Sequence, residues 1–284
     1  MNKFFTGVIL AIMLLGFSCK KEEIIIIKEV EKSSTIPSFS GDSLINNKYR
    51  ILILMYHKLT NQAPYDLYER NAVDFENDLN FIASRGYQVL SFDDLIKVKA
   101  GTLKLQNNAV VISFDDGHES DFSIAYPKLK QKEMPATFFM VSNWVGEFDR
   151  VTWSNISEMH HFQTASGQKL FSIESHSRSH PFLARDSADF PTRTAYLDWL
   201  NDELKISKDS IQKVTGQLNM WLALPYGNGA NDPTIISAAK KCGYSGIRTS
   251  IFGSFTAKTL DPFALPSLPI LSVTDISEID NYMP

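Results

Sequence analysis

Cysteine is nearly absent: the chain has two, Cys19 and Cys242, in 284 residues. Two thiols cannot supply the disulfide framework that staples small exported domains, so the fold has to rest on a hydrophobic core. A dominant charge of one sign is missing too. The formal net charge is −4 and no long basic stretch follows the N-terminus, which excludes the electrostatic footprint of a nucleic-acid partner. No internal repeat is detectable, which excludes a solenoid. The apolar stretch Val8 to Phe17 is too short for a lasting membrane-spanning helix. What remains is ordinary globular composition, 44% hydrophobic and 21% charged, with six histidines whose placement carries most of the information.

The N-terminus reads as a targeting segment over residues 1–19. Lys3 supplies a positive n-region ahead of the apolar stretch. Leu14-Leu15-Gly16-Phe17-Ser18-Cys19 resembles a bacterial lipoprotein box, with Cys19 as the lipidated residue. Gly16 stands where leucine is usual, and a plain secretory signal with a chance cysteine is the alternative. Lys20-Lys21-Glu22-Glu23 resembles the surface-export signals of some Bacteroidetes-type lipoproteins. Residues 20–48 then run through Ile24 to Ile27, a mixed charged stretch and Ser/Pro/Gly/Asn-rich text, as a flexible tether would. The isoleucines could instead form a strand or a partner contact. These features imply a lipid-anchored protein of the cell envelope that meets the membrane through its anchor only. With Cys19 lipidated, Cys242 stands alone and is expected to be a small core residue after a helix.

Residues 49–284 suit one domain. Strand-like runs at 51–57, 87–90, 109–114, 136–141, 171–174, 220–224, 245–249 and 268–273 alternate with helical patterns. The helical stretches are 74–84, 92–99, 122–132, 153–162, 193–214 and 233–241. In the first of these Phe75, Leu79 and Ile82 share one face. Such alternation predicts an α/β fold with a mainly parallel sheet covered by helices.

Val110 to Phe114 leads directly into Asp115-Asp116-Gly117. A buried strand ending this way delivers two carboxylates to the rim of a sheet, where α/β folds keep their chemistry. Two neighbouring carboxylates cannot both be buried unpaired, and one solution gives one Asp to a metal and leaves the other as a base. Further ligands are then needed, and Glu174-Ser175-His176-Ser177-Arg178-Ser179-His180 offers them. On a helical turn His176 and His180 would share a face, and two imidazoles with one Asp oxygen leave a fourth position for water, as a catalytic zinc site requires. Both could instead be surface or capping histidines. A third strand ends at Leu224-Pro225-Tyr226-Gly227, a common turn and weak evidence alone.

Together, Ser-Phe-Asp-Asp-Gly at 113–117, His-Ser-x-x-His at 176–180 and Pro-Tyr-Gly at 225–227 resemble, in order and spacing, the motifs of the NodB-type polysaccharide deacetylases, carbohydrate esterase family 4. The resemblance covers roughly residues 50–275 and implies a distorted (β/α)7–8 barrel, the NodB-homology deacetylase fold. It implies that Asp116, His176 and His180 bind a divalent metal, zinc foremost, with cobalt, nickel or iron suiting the same donors. It implies Asp115 as general base and the backbone N–H of Tyr226 as oxyanion donor.

Two departures stand out. The third motif usually carries an arginine that orients the catalytic Asp, where this chain has Ala223, and the C-terminal strand region 265–273 lacks the usual acid histidine. Leu54-Met55-Tyr56-His57-Lys58-Leu59 resembles the opening of the poly-N-acetylglucosamine deacetylase branch, which is circularly permuted and carries that histidine on its N-terminal strand. By this likeness His57 is the acid; His118, two residues after the acidic pair, is the rival. His160 and His161 are expected to be solvent-facing or placed favourably at a helix C-terminus. The expected substrate is an acetylated polysaccharide of poly-β-1,6-N-acetylglucosamine type, with Trp144, Trp153 and Tyr226 as candidate sugar-stacking rings. O-Acetyl xylan or peptidoglycan deacetylation are alternatives on the same fold. A non-catalytic carbohydrate-binding lipoprotein is the alternative of another class, motivated by Ala223.

Overall fold

The computed structural model describes residues 48–185, 189–218 and 220–284. Cys19, the segment 1–19 and all of the 20–48 tether except Lys48 lie outside the described residues. Among the described residues no helix is long and apolar enough to cross a membrane.

The first strand, β1 (Arg50–Tyr56), is apolar at every position after Arg50 and buried throughout that stretch. A strand hidden on both faces belongs inside a parallel sheet, because helices cover the outer face and the curl of the sheet the inner one. It pairs in parallel with β5 (Ala109–Phe114) along its whole length, from Ile51 opposite Ala109 to Tyr56 opposite Phe114. The sheet continues in parallel through β6 (Ala136–Met140), β7 (Phe171–Ser175), β8 (Trp221–Ala223) and β9 (Gly246–Arg248). The short β4 (Gln88–Leu90) pairs with the first half of β5. On the other side of β1 lie antiparallel β10 (Phe255–Thr256) and parallel β11 (Leu268–Pro269). Leu265 bridges to Arg248 just before β11 reaches β1, so the sheet curls back toward its first strand. A separate pair, β2 (Lys58–Thr60) with β3 (Glu69–Asn71), follows β1. The expected α/β class is therefore present as a curled, mixed sheet flanked by helices.

Alternation along the strands divides the core. Leu52, Leu54 and Tyr56 of β1, with Val110, Ile112 and Phe114 of β5, pack outward against the helices. Ile51 and Ile53, with Ala109, Val111, Phe139, Trp221 and Ala223, fill the inside of the curl. Because side chains repeat every two residues, the same inner face continues to Met55 and His57, to Ser113 and Asp115, to His176 and to Arg248. The period that builds the core thus aims these side chains into the mouth of the curl.

Of the six α-helices among the described residues, α1 (Ala72–Ser84), α3 (Tyr126–Gln131), α4 (Trp153–His161), α5 (Arg193–Thr215) and α6 (Pro233–Lys241) cover the outside, whereas α2 (Phe92–Lys99) packs Phe92, Leu95 and Val98 into the inner cluster. Phe75, Leu79 and Ile82 form the buried face of α1, as their spacing predicts. Asn71, Ser91, Thr152, Thr192 and Asp232 cap helix N-termini with their side chains. A π-helical turn, Asp121–Ala125, precedes α3 within the stretch expected to be one helix. The strand expected over 268–273 shrinks to two residues: the Ile270 N–H still donates to the Met55 carbonyl, but the Ser272 N–H turns to Leu67 and leaves β1. Cys242 caps α6 and is partly buried.

Candidate active site

A cavity of about 600 Å³ opens at the C-terminal ends of the strands, lined among others by His57, Asp115, Asp116, His118, His176, His180 and Tyr226. Every residue picked from the sequence as metal ligand, base, acid or oxyanion donor meets there.

The acidic pair splits at the end of β5. Asp115 keeps sheet geometry, its N–H donating to the Tyr56 carbonyl at 3.0 Å, and its side chain follows the inner face. Asp116 has φ 75° and Gly117 φ 67°, so the chain turns sharply and presents the second carboxylate to the cavity from a different direction. Glycine is required at 117, because a Cβ there would sit 2.6 Å from the Met140 sulfur.

His176 continues β7. Its Nδ1 lies 2.9 Å from the Ala223 carbonyl, which only a ring N–H can satisfy, so Nε2 keeps its lone pair facing the cavity. His180 arrives by a loop rather than a helical turn. Ser177 and His180 are both left-handed, at φ 64° and 59°, and a helix is excluded there. The loop is held by the Ser177 hydroxyl, which accepts from the His180 N–H, and by the buried Glu203 carboxylate, which accepts from the Ser179 N–H and hydroxyl. The helical rationale for the four-residue spacing is therefore corrected: a strand end and a strained loop bring the two rings together.

The three donor atoms form a near-equilateral triangle. His180 Nε2 is 3.1 Å from His176 Nε2 and 3.4 Å from Asp116 Oδ1, and His176 Nε2 is 3.5 Å from the same oxygen. A tetrahedral ion with bonds of about 2.0–2.1 Å would space its ligands about 3.3–3.4 Å apart. Asp116 Oδ1 is buried without a hydrogen-bond partner. Burial alone would raise the Asp116 pKa, but the bond to His118 and the positive potential of His176, His57 and His180 hold it well below the usual carboxylate range. Burial, reinforced by His176, pushes His180 down to about 4, so it is a neutral donor near pH 7. The residues fit a divalent ion: Asp116, His176 and His180 form a cluster able to hold one.

Asp115, 2% exposed, accepts from the Arg248 guanidinium through Oδ2. Its Oδ1 is buried with no partner. Arg248 was not among the sequence candidates, since Gly246-Ile247-Arg248 matches no motif. The one available signal was an arginine placed by the period of two on the inner face of an otherwise apolar strand.

His57 lies beside the pair, its ring 4.8 Å from that of Tyr68 and its Nδ1 unpartnered. Burial pushes its pKa below the ordinary value, with Asp115 and Asp116 opposing. His118 stands instead behind Asp116, 3.6 Å from Oδ2 and 3.2 Å from the Arg150 guanidinium. Tyr226 is left-handed at φ 57°; its exposed ring stacks on Phe182, with centroids 4.4 Å apart, and meets His180 edge-on. Trp144 sits under Arg150 and against His180, while Trp153 packs against the core away from the cavity. His160 and His161 both fall in the last turn of α4, as one of the two expectations had it; His161 is exposed, whereas His160 is buried with its Nε2 2.9 Å from the Lys169 ammonium.

Known proteins resemble this chain in sequence and in fold. YxkH of Bacillus subtilis (strain 168), whose name places it among polysaccharide deacetylases, is 28% identical over 201 residues, covering 70% of this chain and 64% of its own length. The poly-beta-1,6-N-acetyl-D-glucosamine N-deacetylase of Staphylococcus aureus (strain MRSA252) is 26% identical over 185 residues, 63% of this chain and 61% of its own. The chain thus spans less than two thirds of these curated relatives. Among solved structures, the de-N-acetylase from Aggregatibacter actinomycetemcomitans superposes with a TM-score of 0.69 at 25% identity, over 82% of this chain and 99% of that one. Streptococcus pyogenes deacetylase PplD, in complex with acetate, shares the fold at a TM-score of 0.70 and 24% identity, over 84% and 99%. The profile described as Polysaccharide deacetylase matches residues 103–247, a span that holds both carboxylates, both histidines and the Pro-Tyr-Gly turn, and by it this chain belongs to the polysaccharide deacetylase family.

Proposed function

We propose that the protein is a metal-dependent hydrolase that removes N-acetyl groups from a polysaccharide of N-acetylglucosamine, of poly-β-1,6-linked type. The observation that carries this reading is one cavity holding three metal-spaced donors beside a buried carboxylate oxygen with no partner. A divalent ion held by Asp116, His176 and His180, zinc first among those that suit the donors, would polarise an acetyl carbonyl and acidify water. Asp115 Oδ1 takes the proton of the attacking water. The backbone N–H of Tyr226, presented by its left-handed turn, donates to the developing oxyanion. The departing amine, which could not leave as an amide anion, takes its proton through His57: the proton drawn from water by Asp115 passes by way of the His57 ring, whose charged form is disfavoured by burial and gives it up readily, as the C–N bond breaks.

An N-acetylglucosamine polymer is supported by His57 on the first strand, as in the permuted branch, and by the Staphylococcus aureus relative. The exposed Tyr226–Phe182 pair gives the mouth a flat apolar surface on which a sugar ring can lie. The test is acetate release from poly-β-1,6-N-acetylglucosamine, chitooligosaccharides, acetylated xylan and peptidoglycan in parallel, with zinc added or chelator present. Release that is largest from the β-1,6 polymer and abolished by chelator is the expected result. Release from xylan alone would replace the N-deacetylase reading by an esterase; none from any of them would leave a carbohydrate-binding protein.

From the sequence we also propose that residues 1–19 are a signal removed before Cys19, that Cys19 carries lipid, and that 20–48 tether the 49–284 domain to the envelope. Labelling with radioactive palmitate, lost in Cys19→Ala, is the expected outcome.

A further inference from the structure

Arg248 is fully buried at the end of β9. Its Nη2 donates to Asp115 Oδ2, its Nη1 faces the Met55 sulfur, and its guanidinium carbon lies 5.3 Å from the centre of the Phe139 ring. Among the described residues, Asp115 is the one carboxylate within ion-pair distance of it. Burying such a pair is a poor route to stability, since well-packed apolar residues of similar size often do as well or better. The pair does fix the rotation of the Asp115 carboxylate, with one oxygen held by arginine and the other left facing the cavity without a partner. Arg248 also stands directly opposite Ala223 in the β8–β9 ladder, and Ala223 is where the family's third motif usually has its arginine. Neighbouring strands lie about 4.8 Å apart and paired residues share a face, so either position can bring a guanidinium to the same carboxylate.

We propose that Arg248 is the positioning residue for Asp115, supplying from β9 the guanidinium that β8 lacks. The inference rests on the reading of Asp115 as base. Arg248→Met keeps the volume and removes the fork. Acetate release from the glycan and hydrolysis of p-nitrophenyl acetate are measured alongside thermal melting and cobalt binding followed by absorbance. The expected result is a kcat lowered by about 100-fold, the scale of a misplaced catalytic group, with KM, melting temperature and cobalt affinity within about twofold or a few degrees of wild type. Adding back the arginine in A223R/R248M is expected to restore at least about tenfold of that loss, as a structural role would not. Unchanged kcat in Arg248→Met overturns the proposal, as does a kcat that falls only in step with melting temperature or cobalt affinity. Should Arg248→Met fail to fold, Arg248→Lys decides: lower kcat at constant KM supports positioning, and wild-type kcat refutes it. A wild-type protein that hydrolyses neither glycan nor ester overturns the hydrolase reading instead, before any variant is made.

Discussion

Asp115 and Asp116 are adjacent in sequence yet occupy different chemical worlds. One is tied to an arginine and one faces two imidazoles, because the left-handed backbone at Asp116 separates their directions. Asp116→Asn is expected to lose bound metal, whereas Asp115→Asn is expected to keep it and lose hydrolysis; metal analysis beside acetate release separates them. Equal metal loss in both would end the division of roles. His57→Ala is expected to lower turnover with metal retained. That these residues would meet in one cavity was legible, because carboxylates and histidines at strand ends have few structural uses. Arg248 was not, since its partner is far away in sequence and only the sheet order brings them together. The burial of His160 was not legible for a related reason: a helix-terminal histidine looks exposed until the packing is known. Burial, with Lys169 adding to it, pushes its pKa from 6.5 down to about 4. Between those values the unfolded state binds the proton and the native state does not, so stability must fall as pH drops from about 6.5 toward 4. The melting temperature of His160→Gln is expected to decline less steeply than wild type over that window.

At the scale of elements, helix positions were legible within a residue or two where apolar spacing and caps coincide, as in α2 and α6. The pair β2 and β3 was not, because three-residue strands of mixed polarity carry no periodic signal. Nor was the loop of the second histidine motif, whose shape depends on Glu203 from α5. The β8–β9 ladder offers a direct test. A Cβ at Gly246 would lie 2.2 Å from the Pro262 carbonyl and 2.3 Å from the Trp221 ring, so Gly246→Ala must displace β9. It is expected to cost about 1–3 kcal/mol in denaturant unfolding, as overpacking does, and to lower kcat as well, since Arg248 is two residues on. Wild-type stability in that variant would show that the strand has more room than its neighbours allow.

Across the whole molecule, the first and last parts of the described chain are locked together by Arg70. Its guanidinium bonds both oxygens of the buried Asp78 on α1 and the carbonyls of Leu271 and Thr274 after β11, while the Tyr56 hydroxyl from β1 also donates to Asp78. Arg70→Met would strand a buried carboxylate and is expected to cost about 3–5 kcal/mol of stability, read from urea unfolding. Arg70 makes no hydrogen bond to Asp115, Asp116, His176 or His180, and of the cavity lining only Leu271 would lose a partner. The overall class was legible from strand–helix alternation; the curl came from the family resemblance alone, because twist and the contacts of Leu265–Pro269 with β9 and β1 set it.

The order of the strands also sets a timetable. β1 stands inside the sheet and is the first of the described strands to be made, while two of its neighbours, β10 and β11, are the last. Asp116, His176 and His180 all precede residue 181, whereas Arg248 and the segment that closes on β1 follow residue 245. As the chain is synthesised, the three residues of the proposed ion site therefore exist well before the arginine that would aim the base. Closing the curl and aiming the proposed base both wait on the strands after residue 245.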